Sequence, residues 1–530
     1  MKKQYNIYKV FLFILFLSGF FGCSLSNTNP NIAFLVYLSK IGRATSSLIN
    51  SAVPEQSTPP RVISITPANN STNVPVSNPA AIVFDKPMDL TTLTMNATDG
   101  PCTGNVQLSA NNFASCMGGT VSLSTDQLTV SIAPTNQPCV ESTYTLQFKI
   151  STGVKDTLGN PLTSEYQATT TFQTQQALVR VGVSGSSNIV NALAVSCNTL
   201  FVGGSFTTVG GSTRNNIGAI NLATGLETSV SMGTTGTVNA IFTNAGIVYI
   251  GGNFANAGGQ SRGNVAAIDP NTGAATPWNP NANGQVLALV FNGSTIYAGG
   301  SFTLIGGQVR NRIAEIDLTA GNATTWNPGL SAGTVNALAF DATNVYIGGN
   351  FSGATIGGQT FTYLGAATRS AGTGLAGWCA TTTTFPVNAL LLTGGVLFVG
   401  GAFGGNLCSL TIYNFGGLVP ATAASSGYPL GGGTGAGGAV NAFAVSANNL
   451  YVGGIFNGAG SFFSQVRNRA GATTLAGVIT SWDPNANNGV NAITTVGSAI
   501  IIGGTFTTVN GSTAVNRIAI VDTTTGTLRP

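Results

Sequence analysis

Arginine is the residue type whose number and spacing most suggest binding chemistry in this chain. From residue 178 onward there are ten arginines and no lysine. Seven of the ten precede a predicted third strand in a repeated unit, namely Arg214, Arg262, Arg310, Arg312, Arg467, Arg469 and Arg517. A guanidinium holds a carboxylate through two parallel hydrogen bonds. These arginines are therefore the candidate ligand-binding residues, and the alternative is a repeated structural arginine that bonds loop carbonyls.

Catalytic chemistry has little support in the sequence. Histidine is absent, which removes the usual general base and the commonest zinc ligand. The acids of the repeated region lie in different repeats, too dispersed for a glycosidase carboxylate pair: Glu227, Asp269, Glu315, Asp317, Asp341, Asp483 and Asp522. We expect no enzyme activity, no cofactor and no metal site, with a carbohydrate-active enzyme as a weaker alternative.

One turn has some of the residues of a calcium loop. Asp269, Asn271 and Gly273 alternate with other residues, and short Asp/Asn runs supply the oxygen ligands that calcium prefers. No acidic residue follows at the twelfth position of such a loop. The favoured reading is an Asx turn that joins two strands.

The arginines belong to a unit that recurs seven times between residue 190 and the C-terminus. Each unit has a valine 13 residues before a Gly-Gly-x-Phe motif, whose first glycines are Gly203, Gly251, Gly299, Gly348, Gly400, Gly453 and Gly503. Successive motifs are 48 to 53 residues apart, a period typical of propeller blades. Residues 176–530 are therefore predicted to form a seven-bladed β-propeller, with a β-helix as the less favoured rival.

Each repeat reads as four strands. In the third repeat these are Val286 to Phe291, Thr295 to Phe302, Arg312 to Leu318 and Ala323 to Trp326. The Gly-Gly pair is predicted to let neighbouring sheets approach closely, and the phenylalanine after it is predicted to pack in the core. Leu178 to Val183 should supply the outer strand of the last blade and so close the circle. The arginine-bearing loops would then share one rim.

Two further motifs of the repeats carry a family resemblance. They are Ile268 to Gly273, and a Trp-Asn/Asp-Pro-Asn-Ala-Asn run at Trp278 and again at Trp482. They resemble the delta-60-type propeller repeats of bacterial exported proteins, which have no settled biochemical role. The resemblance weakens in the fourth and fifth repeats, so it does not imply seven equivalent binding sites.

Residues 61–175 have the short, turn-separated strand patterns of a β-sandwich. They contain Ile65-Thr66-Pro67, then Val83 to Asp89, and later Gly159-Asn160-Pro161. These motifs resemble the bacterial Ig-like domain first described in surface-layer proteins. The resemblance implies a spacer or stacking module.

The N-terminus indicates export. Lys2, Lys3 and Lys9 precede an apolar run and then Cys23, as in a secretory signal. The segment resembles a bacterial lipoprotein signal, which implies a signal peptide at residues 1–22, lipidation of Cys23 and a tether at 23–60. A simple signal peptide or an uncleaved anchor is the alternative.

Export makes disulfides permissible. Cys102 and Cys116 flank a predicted hairpin and are predicted to pair, which leaves Cys139 without an assigned partner. Cys379 and Cys408 are candidates for a bond between neighbouring blades, and Cys197 is expected to be a free, buried apolar residue.

The chain carries few charged residues. Only 6% of the residues are charged and the formal net charge is +4, so no nucleic-acid partner is implied. We expect an all-β protein, an Ig-like sandwich followed by the propeller, lipid-anchored at the outer membrane or cell surface. The propeller rim would bind a protein or glycan partner, and a periplasm-facing envelope scaffold is the alternative.

Overall fold

The computed structural model describes residues 58–66, 68, 80–97, 101–109, 113, 116–134, 144–172, 185–222, 224–379, 386–408, 410–428, 437–457, 462 and 465–529. Regular structure in these residues is almost wholly β, with one short 3₁₀ helix at Leu90–Thr92. No helix among them is both long enough and apolar enough to cross a bilayer. Cys23, the signal segment and the tether before residue 58 lie outside the described residues.

The first group of strands forms two antiparallel sheets. In chain order they are β1 (Val62–Thr66), β2 (Ala80–Phe84), β3 (Val106–Ser109), β4 (Gly119–Leu123), β5 (Thr129–Pro134), β6 (Tyr144–Ile150) and β7 (Tyr166–Phe172). One sheet has the order β1-β2-β5-β4 and the other β3-β6-β7. Alternating apolar residues such as Ile82, Phe84, Phe148 and Ile150 fill a shared core. This arrangement agrees with the predicted sandwich.

The second group forms seven three-stranded antiparallel sheets, which we number one to seven in chain order. Their first strands are Val190–Ser196, Thr237–Asn244, Val286–Phe291, Thr334–Phe340, Val387–Thr393, Val440–Ser446 and Val490–Val496. Their second strands are Thr199–Gly204, Ile247–Asn253, Thr295–Gly300, Asn344–Asn350, Val396–Leu407, Asn449–Gly454 and Ala499–Gly504. Their third strands are Ile217–Asn221, Val265–Ile268, Ile313–Asp317, Leu364–Thr368, Leu410–Leu418, Ala470–Thr474 and Ile518–Asp522.

The Gly-Gly motif lies where one sheet packs on the next. A Cβ atom at Gly299 would lie 2.5 Å from Cγ1 of Val335 in the following sheet. The same contact recurs at each first glycine, and Gly503 of sheet seven makes it with Val190 of sheet one, at 2.6 Å. The seven phenylalanines after the motif are buried, which confirms their predicted core role: Phe206, Phe254, Phe302, Phe351, Phe403, Phe456 and Phe506.

Aromatic side chains make a second link between successive sheets. The indole of Trp278 donates to the carbonyl of Asp317 in the next sheet, at 2.7 Å. Trp326, Trp378 and Trp482 donate in the same way to Thr368, Pro420 and Asp522. Trp278 and Trp482 belong to the Trp-containing motif, so part of its role is to join neighbouring sheets, and Trp326 and Trp378 make the same bond without the full motif.

The prediction of a full fourth strand in each repeat is wrong. The strand is reduced to a single bridge in each sheet, for example between Ile316 and Ala323. The chain instead uses residues between the second and third strands for a two-stranded hairpin in sheets one, two, three, four and seven. These hairpins are Thr208–Val209 with Ser212–Thr213, Asn256–Ala257 with Gln260–Ser261, Leu304–Ile305 with Gln308–Val309, Ala354–Ile356 with Gln359–Phe361, and Thr508–Val509 with Thr513–Ala514.

The predicted use of Leu178 to Val183 as the outer strand of the last sheet needs correction. Those residues lie outside the described ranges, but the position assigned to them is occupied by Leu528, which bridges Val521. The last repeat therefore completes its own sheet. Sheet seven meets sheet one through other residues: Ser186 donates its amide to the carbonyl of Asn516, at 2.9 Å.

Candidate functional site

The hairpin rim, by which we mean the loops between the second and third strands, is where the sequence-predicted arginines lie. The linker that enters each sheet also reaches this rim. In sheet three, the side-chain oxygen of Asn283 accepts the amides of Thr303 and Leu304, at 2.8 and 2.9 Å. Linkers and hairpins therefore share one edge, as the sequence predicted, and the arginines occupy it in sheets one, two, three, six and seven.

Four of the arginines make the same intrasheet contacts. In sheet two, Nη1 of Arg262 donates to the carbonyl of Ser261 at 2.9 Å, and Nη2 donates to that of Thr276 at 2.7 Å. Arg214, Arg310 and Arg467 repeat this pattern in sheets one, three and six. Arg214 also forms an ion pair with Glu227. Each guanidinium ties the loop between the second and third strands to the outer edge of its own sheet, which is a structural role.

The other three arginines occupy a special backbone position. One position in each sheet has a positive φ, between 61° and 74°. It is the residue before the third strand in six sheets and Asn414, within the third strand, in sheet five: Asn216, Asn264, Arg312, Tyr363, Asn414, Arg469 and Arg517. Asparagine tolerates this left-handed region, whereas bulky side chains seldom adopt it. Nothing in the sequence of the arginine-bearing loops indicated this conformation.

Side chains at this left-handed position reach toward the linker of the next sheet. Nδ2 of Asn264 donates to the carbonyl of Ala282, at 2.8 Å. Arg312 places Nε 2.7 Å from the carbonyl of Gly333 and Nη1 2.8 Å from that of Leu330. Nη1 of Arg517 reaches the Ser186 carbonyl of sheet one, at 3.1 Å, whereas Nη1 of Arg469 contacts the carbonyl of Ile455 in its own sheet.

A further polar set, which sequence reasoning did not single out, lies on the first strands. The residue after the motif valine sits at a β-bulge in every sheet. It is asparagine in six sheets and Leu287 in sheet three: Asn191, Asn239, Asn336, Asn388, Asn441 and Asn491. Nδ2 of Asn191 donates to Oδ1 of Asn239, at 3.2 Å. Nδ2 of Asn491 reaches the carbonyl of Val190, also at 3.2 Å.

This series of amides is interrupted at sheet three. Asn239 lies just before the sheet that carries Leu287, and its Nδ2 is buried without a hydrogen-bond partner. Four other bulge asparagines donate to the next sheet: Asn191, Asn336, Asn388 and Asn491. The bulge asparagines thus link adjacent first strands, and Leu287 removes one acceptor.

The acidic turn residues are used by their own turns. The carboxylate of Asp269 accepts the amide of Asn271 at 2.8 Å and the hydroxyl of Thr272 at 3.1 Å. Burial acts to raise the pKa of Asp317, but hydrogen bonds led by the amide of Ala320, with Thr319 and Gly321, outweigh it and lower the pKa to about 2. Both are Asx-type turns. Within the described residues, no three or more cysteine or acidic side chains group as metal ligands would.

Arg369 lies outside the hairpin rim and links sheet four to sheet three. Its Nε donates to the hydroxyl of Tyr297 at 3.2 Å, and its Nη1 donates to the carbonyl of Asp341 at 2.9 Å. Its guanidinium also lies 5.0 Å from the ring centre of Phe340, a cation–π contact. These contacts account for this arginine as a structural residue.

The cysteines form the following bonds. Cys102 and Cys116 are joined by a disulfide with Cα atoms 4.8 Å apart, and Cys379 and Cys408 are joined with Cα atoms 4.2 Å apart. Cys197 was expected to be a free apolar residue, and this is wrong because it is disulfide-bonded and only half-buried. Cys139 lies outside the described residues.

Comparison with known proteins identifies the first domain. Residues 56–174 match a family model described as a bacterial Ig-like domain. No curated protein matches the chain. Among solved structures, the computationally designed Ika8 protein is 15% identical, with a TM-score of 0.41, over 64% of this chain and 98% of that one. The mitotic checkpoint complex gives 14% identity and a TM-score of 0.40, over 63% and 92%. These TM-scores are too low to support an argument about the repeats.

Proposed function

We propose that this protein is a lipid-anchored, non-enzymatic binding protein of the bacterial outer membrane or cell surface, and that the hairpin rim engages a protein or glycan partner. The proposed location rests on one observation, the match of residues 56–174 to a bacterial Ig-like domain, because such domains occur in bacterial surface proteins. The signal-like N-terminus with Cys23 supports the anchor.

We further propose that the seven sheets are the blades of a closed β-propeller of the delta-60 type. Support comes from the glycine–valine contact, which runs from each sheet to the next and from Gly503 of sheet seven to Val190 of sheet one. The asparagine bond from Asn491 to Val190 joins the same two sheets. A closed circle of sheets leaves only short, protected edges and suits a stable display platform.

The binding role rests on how the rim is built. The described contacts of Arg214, Arg262, Arg310 and Arg467 lie within single sheets, so these residues hold the loops in place. The loops themselves differ in sequence from sheet to sheet, and loops on a rigid scaffold are where binding residues concentrate. The rim therefore combines a repeated frame with variable contact residues.

Location and anchoring are tested in intact cells with the full-length chain. Proteolysis or antibody labelling of the repeats on intact cells should succeed, and metabolic fatty-acid labelling should be lost in Cys23→Ser. A chain that becomes accessible only after the outer membrane is opened would support the periplasmic scaffold instead. Fatty-acid labelling that survives in Cys23→Ser would contradict the proposed anchor.

A further inference from the structure

One pentapeptide occurs twice on the hairpin rim. Gln308-Val309-Arg310-Asn311-Arg312 of sheet three is repeated as Gln465-Val466-Arg467-Asn468-Arg469 in sheet six. Sheets one and two have Thr213 and Ser261 where the motif has valine. The five-residue match is therefore particular to two sheets and is not part of the common repeat.

The valine of each copy is exposed to solvent. Val309 is 66% exposed and Val466 is 53% exposed. In sheet three the cross-strand partner of Val309 is Leu304, itself 38% exposed. In sheet six Ile455, whose carbonyl accepts a hydrogen bond from Arg469, is 49% exposed. Each copy thus presents a small apolar surface on an otherwise polar rim.

The last arginine of each copy follows the exposed valine by three residues and keeps its positive charge. Arg312 and Arg469 occupy the left-handed position, where sheets one and two use Asn216 and Asn264. Arg312 uses Nε and Nη1 for backbone carbonyls, and Arg469 uses Nη1. Within the described ranges, the ion pairs join Lys149 to Glu165 and Arg214 to Glu227, so neither arginine is neutralised by a described carboxylate.

Asparagine would satisfy the backbone at these two positions. It adopts the left-handed conformation more readily than arginine, and the asparagine of sheet two makes the linker contact at 2.8 Å. A strained residue that persists where an easier one would serve points toward function. What arginine adds here is a positive charge and further N–H donors.

We propose that the two Gln-Val-Arg-Asn-Arg loops are twin docking sites for an acidic peptide segment of a partner protein. A carboxylate of the partner would pair with Arg312 or Arg469, and an adjacent apolar side chain would cover Val309 or Val466. A loop that carries both a positive charge and an exposed valine suits such a segment better than an anionic glycan, which offers no apolar side chain. This inference rests on the proposed binding role of the rim and names its partner class.

Two sites on one rigid domain also favour a divalent arrangement. Sheets three and six are separated by two sheets in one direction and three in the other, so the loops cannot form a single pocket. A partner with two acidic segments, or a pair of partners, would gain affinity by binding both loops at once.

The test is selection of a random displayed-peptide library against the full-length protein. Selected peptides should carry Asp or Glu beside an apolar residue. Arg312→Asn combined with Arg469→Asn should weaken their binding by about tenfold or more, since a charge-assisted hydrogen bond has that strength. Val309→Thr with Val466→Thr should weaken it severalfold. Arg529→Asn is the control, because it removes an arginine whose side chain contacts Ser498 and lies outside the loops between the second and third strands.

Two outcomes would overturn the proposal. One is a selected set without an acidic–apolar pattern, and the other is binding that the arginine pair does not affect. Polyglucuronate serves as the glycan probe. If it binds tightly, and if this binding requires the arginines but not the valines, the ligand is an anionic glycan and the proposal of an acidic peptide is wrong. Labelled envelope extract, applied to the same variants, distinguishes failure of the docking proposal from failure of the general binding role. Equal binding of the extract to the native and double-variant proteins contradicts the docking sites but not the binding role. Binding of the extract to neither protein contradicts the binding role itself.

Discussion

The arginines of the hairpin rim make two different sets of contacts, and their positions in the sequence do not distinguish between the two. Arg310 and Arg312 are two residues apart, yet Arg310 bonds carbonyls of its own sheet while Arg312 reaches the linker of the next. Arg312 has a positive φ, and its side chain extends to the carbonyls of Leu330 and Gly333. Each residue can therefore be changed to give a different outcome.

Arg262→Gln should lower the free energy of unfolding. The change removes two guanidinium–carbonyl hydrogen bonds, and charged hydrogen bonds contribute about 1.5–3 kcal/mol each at most, so a loss of about 1–3 kcal/mol is expected. Chemical denaturation at neutral pH measures it. Arg312→Asn is the comparison, because it keeps a residue suited to the left-handed position, and equal midpoints for Arg262→Gln and the native chain would exclude the structural role.

Asp317 should make stability depend on acid pH. Its pKa is about 2 in the folded protein against an ordinary value of 3.8, so its contribution is present above about pH 4 and is lost as the pH falls toward 2. Asp317→Asn should therefore destabilise the protein at pH 7 and make less difference at pH 2. Denaturation midpoints of both proteins at the two pH values provide the measurement. A difference between them that does not shrink in acid would contradict this account.

At the scale of strands and sheets, contacts between neighbouring first and second strands decide the packing. The first glycine of each Gly-Gly pair leaves room for the valine of the next sheet, and the bulge asparagines link adjacent first strands. Both features can be tested at sheet three, where the glycine contact is typical and the asparagine is missing.

Gly299→Ala should destabilise the protein strongly. Its Cβ would lie 2.5 Å from Cγ1 of Val335, and β-branched valine has little freedom to move away. We expect a loss of about 1–3 kcal/mol, the usual cost of overpacking. Gly233→Ala is the control, because the nearest atom to its Cβ is 3.9 Å away. Thermal or chemical denaturation should separate the two variants, and an equally small effect for both would argue against the packing role.

Leu287→Asn should stabilise the protein. An amide at this bulge would offer an acceptor to the buried, unpartnered Nδ2 of Asn239, as Asn239 does for Asn191. A hydrogen bond of this kind contributes about 0.5–1.5 kcal/mol. Leu287→Ala is the comparison, since it removes the leucine without adding an amide. If the asparagine variant is no more stable than the alanine variant, the link between first strands is unimportant.

Much of the fold could be predicted from the sequence because its strongest signals are local and repeated. The Gly-Gly-x-Phe spacing predicted sheets in close contact and a buried phenylalanine, and both are confirmed. The short hairpins were missed, since a two-residue strand has too few residues to show a period. The fourth strand was overestimated because turn residues around Ala323 leave only one bridge.

The candidate site was harder to predict than the fold. The sequence identified the arginines and their shared rim, but it could not assign their partners, which are backbone carbonyls brought close only by folding. Positive φ at Arg312 and Arg469 has no signature in an arginine side chain. The repeated Gln-Val-Arg-Asn-Arg is visible in the sequence, yet the exposure of its valines depends on how the hairpin turns.

For the whole molecule, the proposed propeller requires that the first and last sheets meet. A circle of seven sheets would hold both arginine–valine loops at fixed positions, whereas an open row would leave them free to separate. Val190 and Gly503 belong to opposite ends of the repeated region and are in contact only if the circle closes, with 2.6 Å between Cγ1 of the valine and a Cβ built on the glycine.

A double-mutant cycle on this pair tests closure most directly. Gly503→Ala should destabilise the native chain. The same change should destabilise the Val190→Ala variant less, because that variant lacks the methyl group with which the new Cβ collides. The predicted coupling is about 1 kcal/mol or more, measured by denaturation of the four proteins. Additive effects, within about 0.5 kcal/mol, would contradict the closed arrangement.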